Sequence, residues 1–174
     1  MRNWLVVLSG AMLLSACGWQ LQGVRRVPEA LAPLYLDLSD EHSAFSRSLV
    51  RRLHEAGVNV TASKLSANAV LRVSTDTSGH HVASVSALNE PQQYEVYYRV
   101  EYRLDRVQAG AGPLLPPQVM NAARTITYDK TLALAKQREE LNLRNTLADE
   151  LAGQVLRRLS LLSVGENEAI DTEP

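Results

Sequence analysis

The residue whose type and setting dictate a definite chemistry is Cys17, in the run Leu14-Ser15-Ala16-Cys17. It is the only cysteine in the chain, so no intrachain disulfide and no cysteine-built zinc or iron-sulfur site can form. Ahead of it, Arg2 gives a basic start, and Trp4 to Leu14 is apolar except for Ser9 and Gly10. That is the layout of a signal peptide over residues 1–16. At about 1.5 Å rise per residue the apolar stretch falls well short of the ~30 Å hydrocarbon layer, so it cannot persist as a membrane span. An aliphatic residue, two small ones and a cysteine match the bacterial lipoprotein pattern. The thiol accepts a diacylglycerol, the peptidase cuts before it, and the freed amine is acylated. Two or more chains, at ~0.8 kcal/mol per buried methylene, anchor stably where one is marginal. Gly18-Trp19 lacks the aspartate of an inner-membrane retention signal, so the expected location is the outer membrane, with the body on the periplasmic side.

The other residues with chemical potential do not combine. His80 and His81 are neighbours in an extended segment, where successive side chains point to opposite faces, so they cannot share a metal. His42 and His54 have no carboxylate or cysteine at ligand spacing. Gly110-Ala111-Gly112-Pro113 does not join a strand to a helix N-terminus, as a phosphate cradle must. No nucleophile elbow is present. Glu139-Glu140 and Asp149-Glu150 read as a helix's first turn and its solvated face. The expectation is a protein without catalysis, metal or cofactor, its one covalent addition being the N-acyl and S-diacylglycerol lipid on Cys17.

The chain has 174 residues, 45% hydrophobic and 21% charged, with net charge -1, the proportions of one ordinary globular body. Ser163 to Pro174 holds Glu166, Glu168, Asp171 and Glu173 with no base, which reads as an acidic disordered tail over 163–174. Residues 17–162, the expected single domain, then carry 17 bases against 15 acids, 14 of the bases being arginine. That surplus is too small for a nucleic-acid footprint, though arginine suits phosphate and carboxylate.

Leu34, Leu36 and Leu38 alternate as a strand. Ser43 caps a helix whose Phe45, Leu49, Leu53 and Ala56 share a face, and Gly57 stops it. Residues 69–78 alternate again, with Arg72, Ser74 and Asp76 on the outer side. Ser78 to Gln92 reads as a mobile hairpin region with a short extension at Val82 to Val85. From Tyr94 to Asp105, Tyr94, Val96, Tyr98, Val100, Tyr102 and Leu104 take one face, and Glu95, Tyr97, Arg99, Glu101, Arg103 and Asp105 the other. A loop through Pro113, Pro116 and Pro117 precedes a fourth strand from Ala122 to Tyr128. A long helix from about Gln137 to Leu162 follows, striped by Leu143, Leu147, Leu151, Val155, Leu159 and Leu162. The fold class is α+β, a two-layer sandwich of a four-stranded mixed, largely antiparallel sheet with two helices on one face and a charged open face.

Cys17-Gly18-Trp19-Gln20-Leu21-Gln22-Gly23, Ala133-Leu134-Ala135-Lys136 before the last helix, and Leu147-Ala148-Asp149-Glu150-Leu151 through Val155-Leu156-Arg157-Arg158-Leu159 together resemble the lipopolysaccharide-assembly lipoprotein family LptE, in order and nearly over the whole chain. The resemblance implies a non-catalytic outer-membrane lipoprotein that plugs the LptD β-barrel, helps it assemble and contacts lipopolysaccharide. Lys130 and Lys136, in the linker before the last helix, with Arg99, Arg103 and Arg124 on the open face, are the expected contacts to lipopolysaccharide phosphates or the barrel wall. A pilot or scaffold lipoprotein of another outer-membrane complex would share the anchor and the small α+β body.

Overall fold

The computed structural model describes residues 27–107, 112–127 and 133–168. Cys17, residues 1–16, Lys130 and residues 169–174 lie outside the described residues. The first strand, β1 (Leu34–Leu38), leads into α1 (Ala44–Glu55) and then β2 (Val60–Thr61). Three long strands follow, β3 (Ala69–Val85), β4 (Pro91–Arg106) and β5 (Pro113–Thr127), and α2 (Ala133–Glu168) closes the chain. The sheet order is β2-β1-β3-β4-β5, with β1 parallel to both neighbours and β3-β4-β5 antiparallel.

The local signals for α1 act as written. The Ser43 hydroxyl accepts from the Ser46 amide at 2.9 Å, satisfying one orphan donor of the first turn. At the other end Gly57 takes φ +72°, the Gly57 amide bonds to His54 and the Val58 amide to Leu53, both at 3.0 Å. This is the Schellman arrangement, and a side chain at Gly57 would be strained there.

Amphipathic stripes then meet. Phe45, Leu49 and Leu53 of α1 and Leu147, Leu151, Val155 and Leu159 of α2 are fully buried against Leu34, Leu71, Val96, Val100 and Leu104 of the sheet. Both helices lie on the face of β4 that carries Tyr98 and Tyr102, as the alternation requires, and the other face is open. Leu151→Ala would remove contacts at the centre of this layer, where such truncations cost about 2 to 5 kcal/mol.

Four expectations change. The sheet has five strands, not four, because β2 is two residues long and too short for alternation to register. Ser78 to Gln92 is mostly strand: β3 runs unbroken to Val85, β4 starts at Pro91, and the turn is confined to residues 86–90. There the Ser86 amide donates to Glu90 at 2.7 Å, the Asn89 amide to Ser86 at 2.9 Å, and Asn89 takes φ 59°. Pro116 and Pro117 belong to β5 rather than to a loop. The register jumps from Tyr102↔Gln118 to Leu104↔Leu115, so both prolines fall in a bulge on an edge strand, where a missing amide donor is tolerated. Finally α2 starts at Ala133 and continues through Gly165 to Glu168, so Lys136 is helical and the tail begins as helix.

Candidate interaction surface

The open face is a ladder set by strand register. Going from the N-terminal end of β3, Arg72 lies opposite Arg103, Thr75 opposite Glu101, Thr77 opposite Arg99, Gly79 opposite Tyr97 and His81 opposite Glu95. Across β4, Glu101, Arg99, Tyr97 and Glu95 face Val119, Asn121, Ala123 and Thr125. Only glycine fits opposite Tyr97 in its present rotamer, since a Cβ on Gly79 would stand 2.7 Å from the tyrosine hydroxyl. His81 sits beside that ring, centroids 6.0 Å apart, with Nε2 3.4 Å from Glu95.

Most charges on this face already have partners. Arg72 pairs with Asp37 at 3.1 Å and Arg103 with Asp105 at 3.0 Å. These two arginines, Ser74, Glu101 and Pro117 line a shallow cleft of about 270 Å³. Arg99 and Glu101 differ: neither makes an ion pair among the described residues. Of the expected contact residues on this face, Arg103 is therefore engaged and Arg99 is exposed and unmatched.

Arg124 is not on the open face. Its register partner is Val96, a core residue, so Ala122, Arg124 and Ile126 share the helix side. At the sheet edge the Arg124 guanidinium reaches Glu150 of α2 at 3.1 Å. The alternation grouped Arg124 with Ile126 correctly, but which group turned inward depended on register with β4. Lys136 lies in the first turns of α2, half-buried, with Nζ 2.7 Å from Glu139. One turn on, Glu140 accepts from His80 Nδ1 at 2.7 Å and pairs with Arg144. Burial pushes the Glu140 carboxyl up, but the His80 hydrogen bond and the Arg144 and His80 charges outweigh it and hold it below the usual range. The His80 ring stands edge-on to Tyr94, centroids 5.3 Å apart. His80 and His81 thus face opposite sides of the sheet.

Two polar groups escaped the sequence reading. A bulge between Val73 and Thr75 shifts the β3 register, so Asp76, expected outside, faces the helices. It accepts from the Tyr98 hydroxyl at 2.7 Å and from the Ser43 hydroxyl, tying the cap of α1 to the sheet. Burial first, then the hydrogen bond to Asp76, raises the Tyr98 hydroxyl above its ordinary value. Nothing in the sequence marks the bulge. Asp149, expected on a solvated face, instead bridges the helices: Arg52 donates to it from Nε at 3.0 Å and Nη2 at 2.6 Å, and Arg51 at 2.6 Å.

Among the described residues no helix is long and apolar enough to cross a membrane, and no three histidine, cysteine or acidic side chains converge on a metal position. The family model described as "LptE: Lipopolysaccharide-assembly" matches residues 31–159. The chain is 25% identical over 167 residues to the LPS-assembly lipoprotein LptE of Yersinia enterocolitica, covering 95% of this chain and 79% of that one. It is 25% identical over 160 residues to the protein of the same name from Pectobacterium atrosepticum, covering 91% and 85%. The crystal structure of rare lipoprotein B from Shewanella oneidensis superposes with a TM-score of 0.65 at 26% identity, covering 77% of this chain and 98% of that one. The solution structure of a lipoprotein B from Nitrosomonas europaea shares the fold, with a TM-score of 0.71 at 21% identity over 87% and 96% of the two chains. With the match extending from the 3-10 turn before β1 to the last buried leucine of α2, the chain belongs to the LptE lipopolysaccharide-assembly family of non-catalytic lipoproteins.

Proposed function

We propose that this chain, tethered by acylated Cys17 to the inner leaflet of the outer membrane, plugs the LptD β-barrel, helps that barrel assemble, and contacts lipopolysaccharide on its way to the outer leaflet. The observation that carries this reading is the open ladder of β3, β4 and β5. One face of the sheet is sealed by two helices, while the other carries a charged ladder along β4, broken by Tyr97 and by Val119 of β5, and leaves Arg99 and Glu101 without ion-pair partners among the described residues. A barrel lumen is polar, and a surface of this kind fills it through hydrogen bonds and charge pairs rather than through apolar burial.

The basic residues divide between two tasks. Arg99 faces outward from the middle of the sheet and suits the barrel wall. Arg103 is already matched there, and Arg124 braces the sheet against α2. Lys136 stands one helical turn before Glu140, which holds the β3-β4 arm through His80, and Lys130 precedes it in sequence. Both serve lipopolysaccharide phosphates, where charge-assisted bonds are worth about 1.5 to 3 kcal/mol each.

Affinity purification of the tagged full-length lipoprotein from solubilised outer membranes tests the reading. The expected result is LptD in equal amount. Arg99→Glu should deplete it, since reversing one charge in a desolvated contact costs about 2 to 5 kcal/mol. Lys136→Glu should leave the barrel bound and reduce lipopolysaccharide binding. A lipoprotein recovered alone or with another complex overturns the plug assignment, and an unchanged yield with Arg99→Glu removes Arg99 from the interface.

A further inference from the structure

Exposed aliphatic side chains stand at both ends of the sheet, Val82, Val85 and Leu88 toward the β3-β4 turn and Val60, Leu65 and Val107 at the end where the chain enters, and only the latter adjoins the N-terminal segment that leads from Cys17. Val27 and Leu31 are buried, and the entry is pinned to β3: the Asn68 amide donates to the Pro33 carbonyl at 2.8 Å, and its side chain to the Ala32 carbonyl. Leu34 pairs with Val60 and with Ala69, and Ala69 with Arg106, so the starts of β1, β2 and β3 and the end of β4 share one edge of the fold. Between β2 and β3, at this same end, the 3-10 turn Lys64–Ser66 presents Leu65 at 96% exposure. The turn is not slack. The Thr61 and Ser66 hydroxyls are 2.9 Å apart, the Ser66 hydroxyl donates to the Ser63 carbonyl at 3.0 Å, and the Ser63 amide donates to the Thr61 hydroxyl at 3.2 Å. Leucine is therefore held out into solvent by a hydrogen-bonded frame, with exposed Lys64 beside it. Val60, and Val107 whose amide bonds to the Asn68 carbonyl, are also substantially exposed at this end.

We propose that this end is a membrane-contact surface: Leu65, flanked by Lys64, rests in the headgroup layer of the phospholipid bilayer to which the chain is tethered. The inference rests on acylation of Cys17. Ten residues from Cys17 to Val27 reach at most about 35 Å, and Arg25 and Arg26 lie within that tether. The tether thus keeps the entry end within reach of lipid. The opposite tip, at residues 86–90, is about 50 Å farther along β3 at ~3.3 Å per residue. An aliphatic side chain beside a base is the pairing that suits an interface, the first entering the acyl boundary and the second staying with the phosphates.

The test uses the full-length acylated protein in vesicles of phosphatidylethanolamine and phosphatidylglycerol. Because acylation consumes the thiol of Cys17, Leu65→Cys and Leu88→Cys each carry one free thiol for an environment-sensitive fluorophore. Position 65 should show blue-shifted emission and lose intensity to a nitroxide-bearing lipid, while position 88, at the far tip, keeps water-like emission and its intensity. Emission at 65 matching that at 88, with the unsubstituted protein refusing the label, overturns the membrane contact alone. If the unsubstituted protein takes the label, Cys17 is not acylated, and the contact falls together with the anchor.

Discussion

Asp149→Asn should destabilise the protein by about 2 kcal/mol, and the magnitude follows from the contacts it removes. Asp149 receives a two-pronged contact from Arg52 and one further bond from Arg51. In a dry site, charge-assisted bonds contribute about 1.5 to 3 kcal/mol each. Here the Asp149 and Arg52 side chains are 36% and 32% exposed, so solvent screening brings the bidentate pair to about 1 to 2 kcal/mol. The Arg51 pair, with Arg51 54% exposed, adds under ~0.5 kcal/mol. Asparagine preserves the volume and isolates the charge. In urea, with an m-value of about 2 kcal/mol/M, the midpoint should fall by about 1 M.

The pH dependence makes this prediction sharper. The hydrogen bond from Arg52 is the largest influence on the Asp149 carboxyl and, with the two guanidinium charges, holds it below its ordinary 3.8 against the opposing effect of burial. The folded state therefore binds the proton more weakly than the unfolded one. The stabilisation is complete above the ordinary carboxylate value and is lost as pH falls through the lower folded value. The gap between wild type and Asp149→Asn should stay constant from neutral pH to about pH 5, then shrink below about pH 4. Removing Arg52 as well should show coupling of about 1 kcal/mol in a double-mutant cycle. Additive effects, or a gap that widens on acidification, would refute the reasoning.

Asp76→Ala should cost about 1 to 3 kcal/mol, because the buried Tyr98 hydroxyl loses its acceptor while Ser43 still caps α1; hydrogen exchange should speed up at the first turn of α1, and unchanged protection there would disprove the tie. Tyr102→Phe should be neutral or stabilising by up to about 1 kcal/mol, since the Tyr102 hydroxyl is buried with no hydrogen-bond partner among the described residues; a lowered thermal midpoint would show that the hydroxyl is bonded after all.

Elements with a long, single-valued period were legible in the sequence. The alternation from Tyr94 to Asp105 specifies β4 and its buried face, and the leucine stripe of α2 specifies its contact with the sheet. Ser43 and Gly57 mark α1 because their roles are local, one hydroxyl to one amide and one left-handed residue. What depends on pairing between distant segments was not legible. The bulge after Val73 inverts the faces of β3 beyond it, so Asp76 and His80 turn toward the helices, although period-two reasoning from Leu71 puts both outside. Arg124 fails for a related reason, since its side is fixed by Val96 across the sheet. Asp149 looked solvated because nothing in its own helix shows that Arg51 and Arg52 of α1 stand opposite.

These long-range features also explain how the fold separates stability from recognition. Asp149, Glu150 and Glu140 of α2 match Arg52, Arg124 and His80 on the helix side, so the charges there tie α2 to α1 and to the sheet. On the open side Arg72 and Arg103 are neutralised by aspartates within the sheet, while Arg99 and Glu101 have no ion-pair partner among the described residues. A partner of complementary charge would gain from such groups, and one without it would leave them desolvated and unpaired, so the proposed interface would discriminate by charge at these two positions. Because the chain enters at one end of the sheet and β3 carries its turn to the other, the proposed tether would fix which end of this face leads into the proposed barrel. Lys136 lies one turn before Glu140, which is bonded to His80 of β3, so the proposed plug would carry this lysine away from its anchored end.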